Sequence, residues 1–343
     1  MNAVVAVPRQ GACPLTGVAP HPPCLFAPGA GQRFGAAVAS LLGTPLAALE
    51  ERDFEDGEHK LRPLESVRER DVYLVQSLYR DARQSPNDKL VRVLWLAGAL
   101  RDAGAARVTL VAPYLCYARK DRRSQTRDPV SLRYLAEVLE AVGVQRVLTC
   151  DVHNLAAFQN AFRVPAEDLS ATSLFTPVLA ELAGARAVTV VSPDAGGALR
   201  AEALRLRLAR ALGRPVARAL MEKRRSGGVV SGDHLAGEVA GRVAVLVDDL
   251  ISTGTTLDRA ARACRALGAS AVYACATHGL FSADAAAVLA AMPIDGLLVT
   301  DTVGGVELPK ALDMQVRYLS AAPLVAAAIR RLHEGRSLSE LLA

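Results

Sequence analysis

The chain has 343 residues, more than one compact core ordinarily holds, so two domains are expected. Hydrophobic residues make up 51% and charged residues 22%, which argues against a disordered chain, and no run reaches the roughly 18 consecutive apolar residues of a membrane span. A net charge of +5 suits anionic ligands without separating nucleotides from nucleic acid.

Residues 1–24 carry Pro8, Pro14, Pro20, Pro22 and Pro23 without periodicity. They read as a loose extension, lacking the basic flank and long apolar run of a signal peptide. Strand-like apolar runs follow at VYLVQ (72–76), VTLVAP (108–113), RVLTC (146–150), VTVVSP (188–193), VAVLV (243–247), VYACAT (272–277) and LLVT (297–300). Helical spacing fills most of the gaps; Leu257, Ala260, Ala261, Cys264 and Leu267 share one face. Alternating strand and helix predicts an α/β fold with a largely parallel sheet, and continuously apolar runs suit strands covered on both faces. GAARVTLVAPY (104–114) echoes GARAVTVVSPD (184–194), and GVQRVLTCDVH (143–153) echoes GASAVYACATH (268–278). Two related halves with a boundary near residue 170 are one reading; that all helix-Gly-strand units look alike is the other. The six cysteines, Cys13, Cys24, Cys116, Cys150, Cys264 and Cys275, form no C-x-x-C pair, which argues against a metal site or disulfide framework and for a cytoplasmic setting.

Ligands of open α/β sheets bind at the carboxyl ends of strands, so chemistry is sought after each run. After 243–247 come Asp248 and Asp249 and then the turn Ser252–Thr256, whose backbone N–H groups and hydroxyls at a helix start form a phosphate cradle. Carboxylates repel phosphate but accept from sugar hydroxyls, directly or through Mg2+, so a ligand with a phosphate at one end and a diol at the other answers both; ribose 5-phosphate is such a ligand. After 188–193 come Asp194, Ala195, Gly196 and Gly197, then Arg200, a turn that lets backbone approach a diphosphate. After 146–150, Asp151 and His153 share a face at i, i+2. After 108–113, Arg119, Lys120, Arg122, Arg123 and Arg127 follow Tyr114 and Tyr117. That cluster reads as a nucleic-acid surface, a solvated loop or a nucleoside triphosphate site.

The stretch DD-x-x-x-T-G-T-T after a buried strand resembles the phosphoribosyl-diphosphate (PRPP) motif of the phosphoribosyltransferase fold. PYxxYARxDRR, RDPVS, DVH, VSPDAGG, EKRR, VLVDD, THGLFS and LVTDT, in one order from about Leu25 to the C-terminus, resemble the ribose-phosphate pyrophosphokinases. Those enzymes make PRPP and AMP from ribose 5-phosphate and MgATP. The resemblance implies an α/β fold of two tandem phosphoribosyltransferase-like lobes, each a mainly parallel sheet flanked by helices. It implies lobes at 25–170 and 171–316 after the extension 1–24, with a C-terminal helical segment, 317–343, packing back on the first lobe. A homo-oligomer built on dimers and usually hexameric is implied, as are ATP and ribose 5-phosphate as partners and Mg2+ as cofactor, with no nucleic acid and no membrane.

By the same resemblance Asp248, Asp249, Ser252, Thr253, Gly254, Thr255 and Thr256 hold ribose 5-phosphate, and Asp194, Ala195, Gly196 and Gly197 form a diphosphate loop. His153 and Asp194 position Mg2+ and the diphosphate of ATP; Arg119, Lys120 and Asp121 contact ATP. Phe54, Asp56 and Glu58 fall where the family contacts adenine from a neighbouring subunit. Lys223 and Arg225 match the cationic pair of a flexible catalytic loop, and SGG (226–228) suits its closure.

Three departures from the family pattern stand out. Ser252 replaces the usual aspartate, Lys120 replaces a glutamine and adds a cation beside ATP, and NLAAFQNAF after His153 lacks the glutamine-rich spacing. The rival readings are a phosphoribosyltransferase that consumes PRPP, a catalytically weak or regulatory relative, and a nucleic-acid module resting on the arginine cluster alone.

Overall fold

The computed structural model describes residues 21–226, 229–282, 285–304 and 316–342. The extension read at 1–24 therefore lies outside the described residues as far as residue 20, and the chain is already in a strand at Cys24.

Two sheets organise the chain. The first is all parallel, in the order β1 (Cys24–Phe26), β4 (Asp71–Val75), β5 (Arg107–Val111), β6 (Arg146–Cys150), β7 (Ala166–Leu169). The second runs β10 (Val229–Ala236), β9 (Ala217–Ser226), β8 (Val188–Ser192), β11 (Val243–Ile251), β12 (Ala271–Gly279), β13 (Gly296–Thr300), β14 (Val316–Leu319). All its pairs are parallel except β9 with β10. The expected fold class, two mainly parallel sheets flanked by helices, is the observed one.

The strands read as continuous apolar runs because both faces are covered. In the first sheet Phe26, Val72, Leu74, Val108 and Leu110 face α2 (Pro86–Asp102), α3 (Ser131–Ala141) and α4 (Leu155–Ala161). Leu25, Tyr73, Val75 and Val111 face α1 (Gln32–Leu42) and a helix from the far end of the chain, α9 (Ala322–His333). In the second sheet Val190, Val243 and Val245 pack on α5 (Thr172–Ala183) and α6 (Ala198–Leu212). Ala244, Leu246 and Val272 pack on α7 (Thr255–Ala266) and α8 (Ala285–Ala291).

Helix α9 is firmly attached to the first sheet. It buries Leu324, Val325 and Ile329 there, worth on the order of 6 kcal/mol as an upper figure at about 2 kcal/mol per large aliphatic side chain. The Arg330 guanidinium donates to the Leu41 carbonyl at 2.8 Å, and the His333 imidazole bonds the Asp71 carboxylate at 2.8 Å.

The internal echo is real but shifted. By position in the two sheets β1 matches β8, β4 matches β11, β5 matches β12, β6 matches β13 and β7 matches β14. The echo noted in the sequence instead set β5 against β8 and β6 against β12, because it compared helix-Gly-strand units by composition. Each half also carries an antiparallel hairpin before its second sheet-order strand: β2 (Leu49–Asp53) with β3 (His59–Pro63), and β9 with β10.

Candidate functional site

In the second sheet β8 lies between β9 and β11, and the helices that follow β8 and β11, α6 and α7, cover opposite faces. This is the switch point at which α/β sheets open a ligand crevice. The turn Asp194–Gly197 leaves β8 there: Gly197 N–H donates to Asp194 Oδ1 at 3.0 Å and Ser192 Oγ donates to the Asp194 carbonyl at 2.6 Å. The turn Ser252–Gly254 leaves β11. Gly254 takes a left-handed φ of 85° as the residue capping α7, a conformation that disfavours any side chain. Thr253 and Thr255 hydroxyls stand 3.0 Å apart at this helix start.

Asp248 and Asp249 lie inside β11 rather than after it, because pairing with β12 continues to Ile251 and satisfies the backbone. The Asp249 N–H donates to Asp248 Oδ1 at 2.9 Å. Arg200, from the first turn of α6, sets a guanidinium nitrogen 3.8 Å from Asp248 Oδ1 and 3.6 Å from Asp249 Oδ1. Burial and the neighbouring carboxylate push Asp248 well above the ordinary carboxylate range. Burial acts the same way on Asp249, but the His153 hydrogen bond and the Arg200 charge outweigh it and hold Asp249 ionised.

The first lobe supplies the opposite wall. After β6 the chain turns at Asp151, a non-glycine residue with φ 39°. Its buried Oδ2 accepts from Ala171 N–H at 2.9 Å and from the Thr277 hydroxyl, on β12, at 2.5 Å. His278 Nε2 meets the Cys150 carbonyl at 2.8 Å and its Nδ1 meets the Thr302 hydroxyl at 2.8 Å, with the Tyr114 ring edge-on at 5.0 Å. These bonds seam the lobes together. Two residues beyond Asp151, His153 reaches across and places Nδ1 2.8 Å from Asp249 Oδ2. Asn154 caps α4 and donates to Asp121 Oδ2 at 2.6 Å, tying the loop after β5 to the same wall. Ser252 lines a cavity of about 390 Å3 with Arg80, Asn87, Tyr114 and Tyr117.

Other predicted residues stand apart. Phe54, Asp56 and Glu58 occupy the tip of the β2–β3 hairpin, where the bonds of their turn are local: Phe54 N–H to the Glu58 carbonyl at 2.8 Å and Glu58 N–H to Asp56 Oδ1 at 3.0 Å. The β9–β10 hairpin brings Lys223 opposite Asp233 and Arg225 opposite Val230 in backbone register. The Lys223 and Arg225 side chains, and residues 227–228, lie outside the described residues. A larger cleft, about 1670 Å3, opens between the ends of β1 and β4 and residues 301–304. No candidate for ribose 5-phosphate lines it.

Comparisons with known proteins agree along most of the chain. A sequence model of the N-terminal domain of ribose phosphate pyrophosphokinase matches residues 24–143, and one of the phosphoribosyl synthetase-associated domain matches residues 231–343. The ribose-phosphate pyrophosphokinase of Granulibacter bethesdensis is 39% identical over 306 residues, 89% of this chain and 95% of that one. The chain belongs to the ribose-phosphate pyrophosphokinase family. The same enzyme of Pasteurella multocida is 39% identical over 290 residues, 84% of this chain and 89% of its own. The crystal structure of phosphoribosylpyrophosphate synthetase from Mycobacterium smegmatis superposes with a TM-score of 0.81 at 33% identity, covering 92% of this chain and all of that one.

Two of the expected site segments gain structural detail. Lys120 is not a spare cation: its ammonium pairs with Asp128 Oδ2 at 2.6 Å and bonds Ser124 Oγ at 3.1 Å. Asp128 in turn accepts from Ser124 and Gln125 N–H, and the Lys120 hydrogen bond, with these, holds its carboxyl well below the ordinary range. The segment read as a catalytic loop is, in its described part, two arms of a β-hairpin. Sequence reasoning noted Arg200 but gave it no place in the site, and it left Thr277 out. Arg200 follows the Asp-x-Gly-Gly turn by three residues, which puts it on the helix's first turn facing the carboxylates; Thr277 opens the THGLFS stretch, but nothing local marks its bond to Asp151.

Proposed function

We propose that this chain carries out ribose-phosphate diphosphokinase chemistry in the crevice between the β8 and β11 ends and the loops after β5 and β6. The C1 hydroxyl of ribose 5-phosphate attacks the β-phosphorus of ATP, the β,γ-diphosphate moves to the sugar, and AMP leaves. The observation that carries this reading is the 2.8 Å contact of His153 with Asp249. It joins the expected diphosphate-donor side, from one lobe, to the expected ribose side, from the other.

The Ser252–Thr256 turn and the α7 start receive the 5-phosphate, and the ribose lies against the carboxylate end of β11. Arg119, Asp121 and His153 face ATP from the first lobe, and the Asp194–Gly197 turn takes the moving diphosphate. Lys223 and Arg225 neutralise charge that builds on the transferred oxygens and the departing phosphate, the main source of catalysis in such transfers. Lys120 enters only by exchanging Asp128 for a phosphate. The hairpin tip with Phe54, Asp56 and Glu58 serves adenine in a neighbouring subunit, which makes the active form an oligomer, hexameric by family resemblance. We place the enzyme in the cytoplasm; no helix among the described residues is long and apolar enough to cross a membrane.

Asp194 stands exposed in the turn after β8 with one carboxylate oxygen taken by the Gly197 N–H and, among the described residues, the other left over, the kind of single oxygen ligand Mg2+ takes alongside substrate phosphates and water. His153 and Asp194 would hold it. When bound, it would neutralise the polyphosphate charge.

Incubation with ATP labelled in the γ-phosphate and ribose 5-phosphate tests the reading. Labelled PRPP and unlabelled AMP in equal amounts, with no ADP, are expected. PRPP breakdown with a free base and no PRPP synthesis would favour the phosphoribosyltransferase instead.

A further inference from the structure

Asp248 and Asp249 are neighbours in sequence but not in circumstance. Asp249 is 4% exposed, and both of its oxygens already have protein partners: Oδ2 the His153 imidazole at 2.8 Å, Oδ1 the Arg200 guanidinium at 3.6 Å. The Asp248 side chain is 17% exposed, and its Oδ1 takes the Asp249 N–H. One more oxygen of Asp248 remains for a sugar hydroxyl. An ionised carboxylate has no proton to give, so Nδ1 of His153 is the donor in the contact. That fixes the tautomer and leaves Nε2, on a side chain that is 44% exposed, as the nitrogen open to ATP or its cation. Carboxylates that hold a liganding histidine in this way commonly set its orientation and basicity.

We propose that Asp249 is a positioning residue for His153, acting on the diphosphate-donor side, and that Asp248 alone meets the ribose hydroxyls. The two carboxylates of one motif are divided between the two substrates. Arg200 holds Asp249 from behind, so the histidine is oriented before either substrate arrives. This deepens the function proposed above and rests on its reading of His153 as a donor-side residue.

The test compares Asp249→Ala, Asp249→Asn, Asp248→Ala and His153→Ala in the full chain, with no ribose 5-phosphate present for two of the three readouts. At a pH where the ring is neutral, the imidazole 15N–1H spectrum of His153, assigned by its loss in His153→Ala, should show Nδ1 protonated and Nε2 bare in the wild type. The affinity for a nonhydrolysable ATP analogue with magnesium should fall about 10- to 100-fold in Asp249→Ala. The Nδ1 preference should vanish in that variant. Asp249→Asn keeps an oxygen acceptor and should retain the tautomer, with affinity within about threefold of wild type. Asp248→Ala should leave both readouts unchanged while the KM for ribose 5-phosphate rises about tenfold, the scale of one lost hydrogen bond. If Asp249→Ala does not fold, Asp249→Ser, too short to reach Nδ1, takes its place. The proposal is overturned if Asp249→Ala leaves the His153 spectrum and the analogue affinity intact and raises only the KM for ribose 5-phosphate. Unchanged analogue affinity in His153→Ala would instead remove the donor-side reading of His153, while the spectrum still decides whether Asp249 holds the ring.

Discussion

Thr277 donates its hydroxyl to the Asp151 carboxylate at 2.5 Å, a bond between β12 of one lobe and the turn after β6 of the other. Both groups are buried, with Thr277 fully so. Thr277→Val keeps the shape and removes one of the two hydrogen-bond donors to the carboxylate among the described residues. A loss of about 1–3 kcal/mol in unfolding free energy is expected. Denaturant titration measures it, and because His153 is two residues from Asp151, turnover should fall as well. An unchanged unfolding midpoint would mean that the seam does not depend on this bond.

Asp71 links the C-terminal helix to acid sensitivity. It accepts from Arg107 at 2.6 and 2.8 Å, from the Tyr73 hydroxyl at 2.9 Å and from His333 at 2.8 Å. Burial alone would raise its pKa, but these donors outweigh it and hold the carboxyl below its ordinary value. A depressed folded pKa contributes stability that is fully present above the unfolded value, about 3.9, and is lost as pH falls through the folded one. Asp71→Asn should therefore cost about 2 kcal/mol at neutral pH, less than a fully buried pair because Arg107 is a third exposed. Its stability should also fall less steeply than wild type below about pH 4. Chemical unfolding at pH 3 to 7 checks both.

Arg119 and Lys120 are adjacent cations with different fates. Lys120 is already neutralised by Asp128, whereas no bond to Arg119 is described within its loop. Arg119→Ala should raise the KM for ATP about tenfold, the scale of one charged hydrogen bond. Lys120→Ala should change it by no more than about threefold, a surface-pair effect. Equal effects would return Lys120 to the ATP site.

Lys223→Ala should lower kcat by about two or more decades with little change in either KM, as expected for a cation acting on charge that appears only in the transition state. A variant with near wild-type turnover would take Lys223 out of the mechanism.

What the sequence made legible, and what it hid, follows from locality. β6 was read to the residue because Val147, Leu148 and Cys150 make a compact apolar run bounded by Gly143 and Asp151. β1, β7 and β14 were missed: they are three or four residues long, too short to stand out as runs, and lie at sheet edges. The β2–β3 hairpin, LEERD and HKLRP, and the charged β9 offered no apolar run. Leu267 shared the predicted face of α7 yet is 48% exposed, because the helix ends at Ala266. The turns at the strand ends were legible, since each follows its own strand. Their mutual contacts were not: His153 with Asp249 spans 96 residues and Asp151 with Thr277 spans 126, and nothing in a local pattern reports a bond across that distance.

Helix α9 covers the face of the first sheet that α1 covers only in part. On the ribosome the second lobe's strands and helices all emerge before it. The half made first is thus the half finished last, and until synthesis ends Tyr73 and Val75 lack part of their cover. A nascent chain halted before Ala322 would expose that greasy face to chaperones, and a message cut short would yield a protein that sticks to others rather than a smaller working lobe.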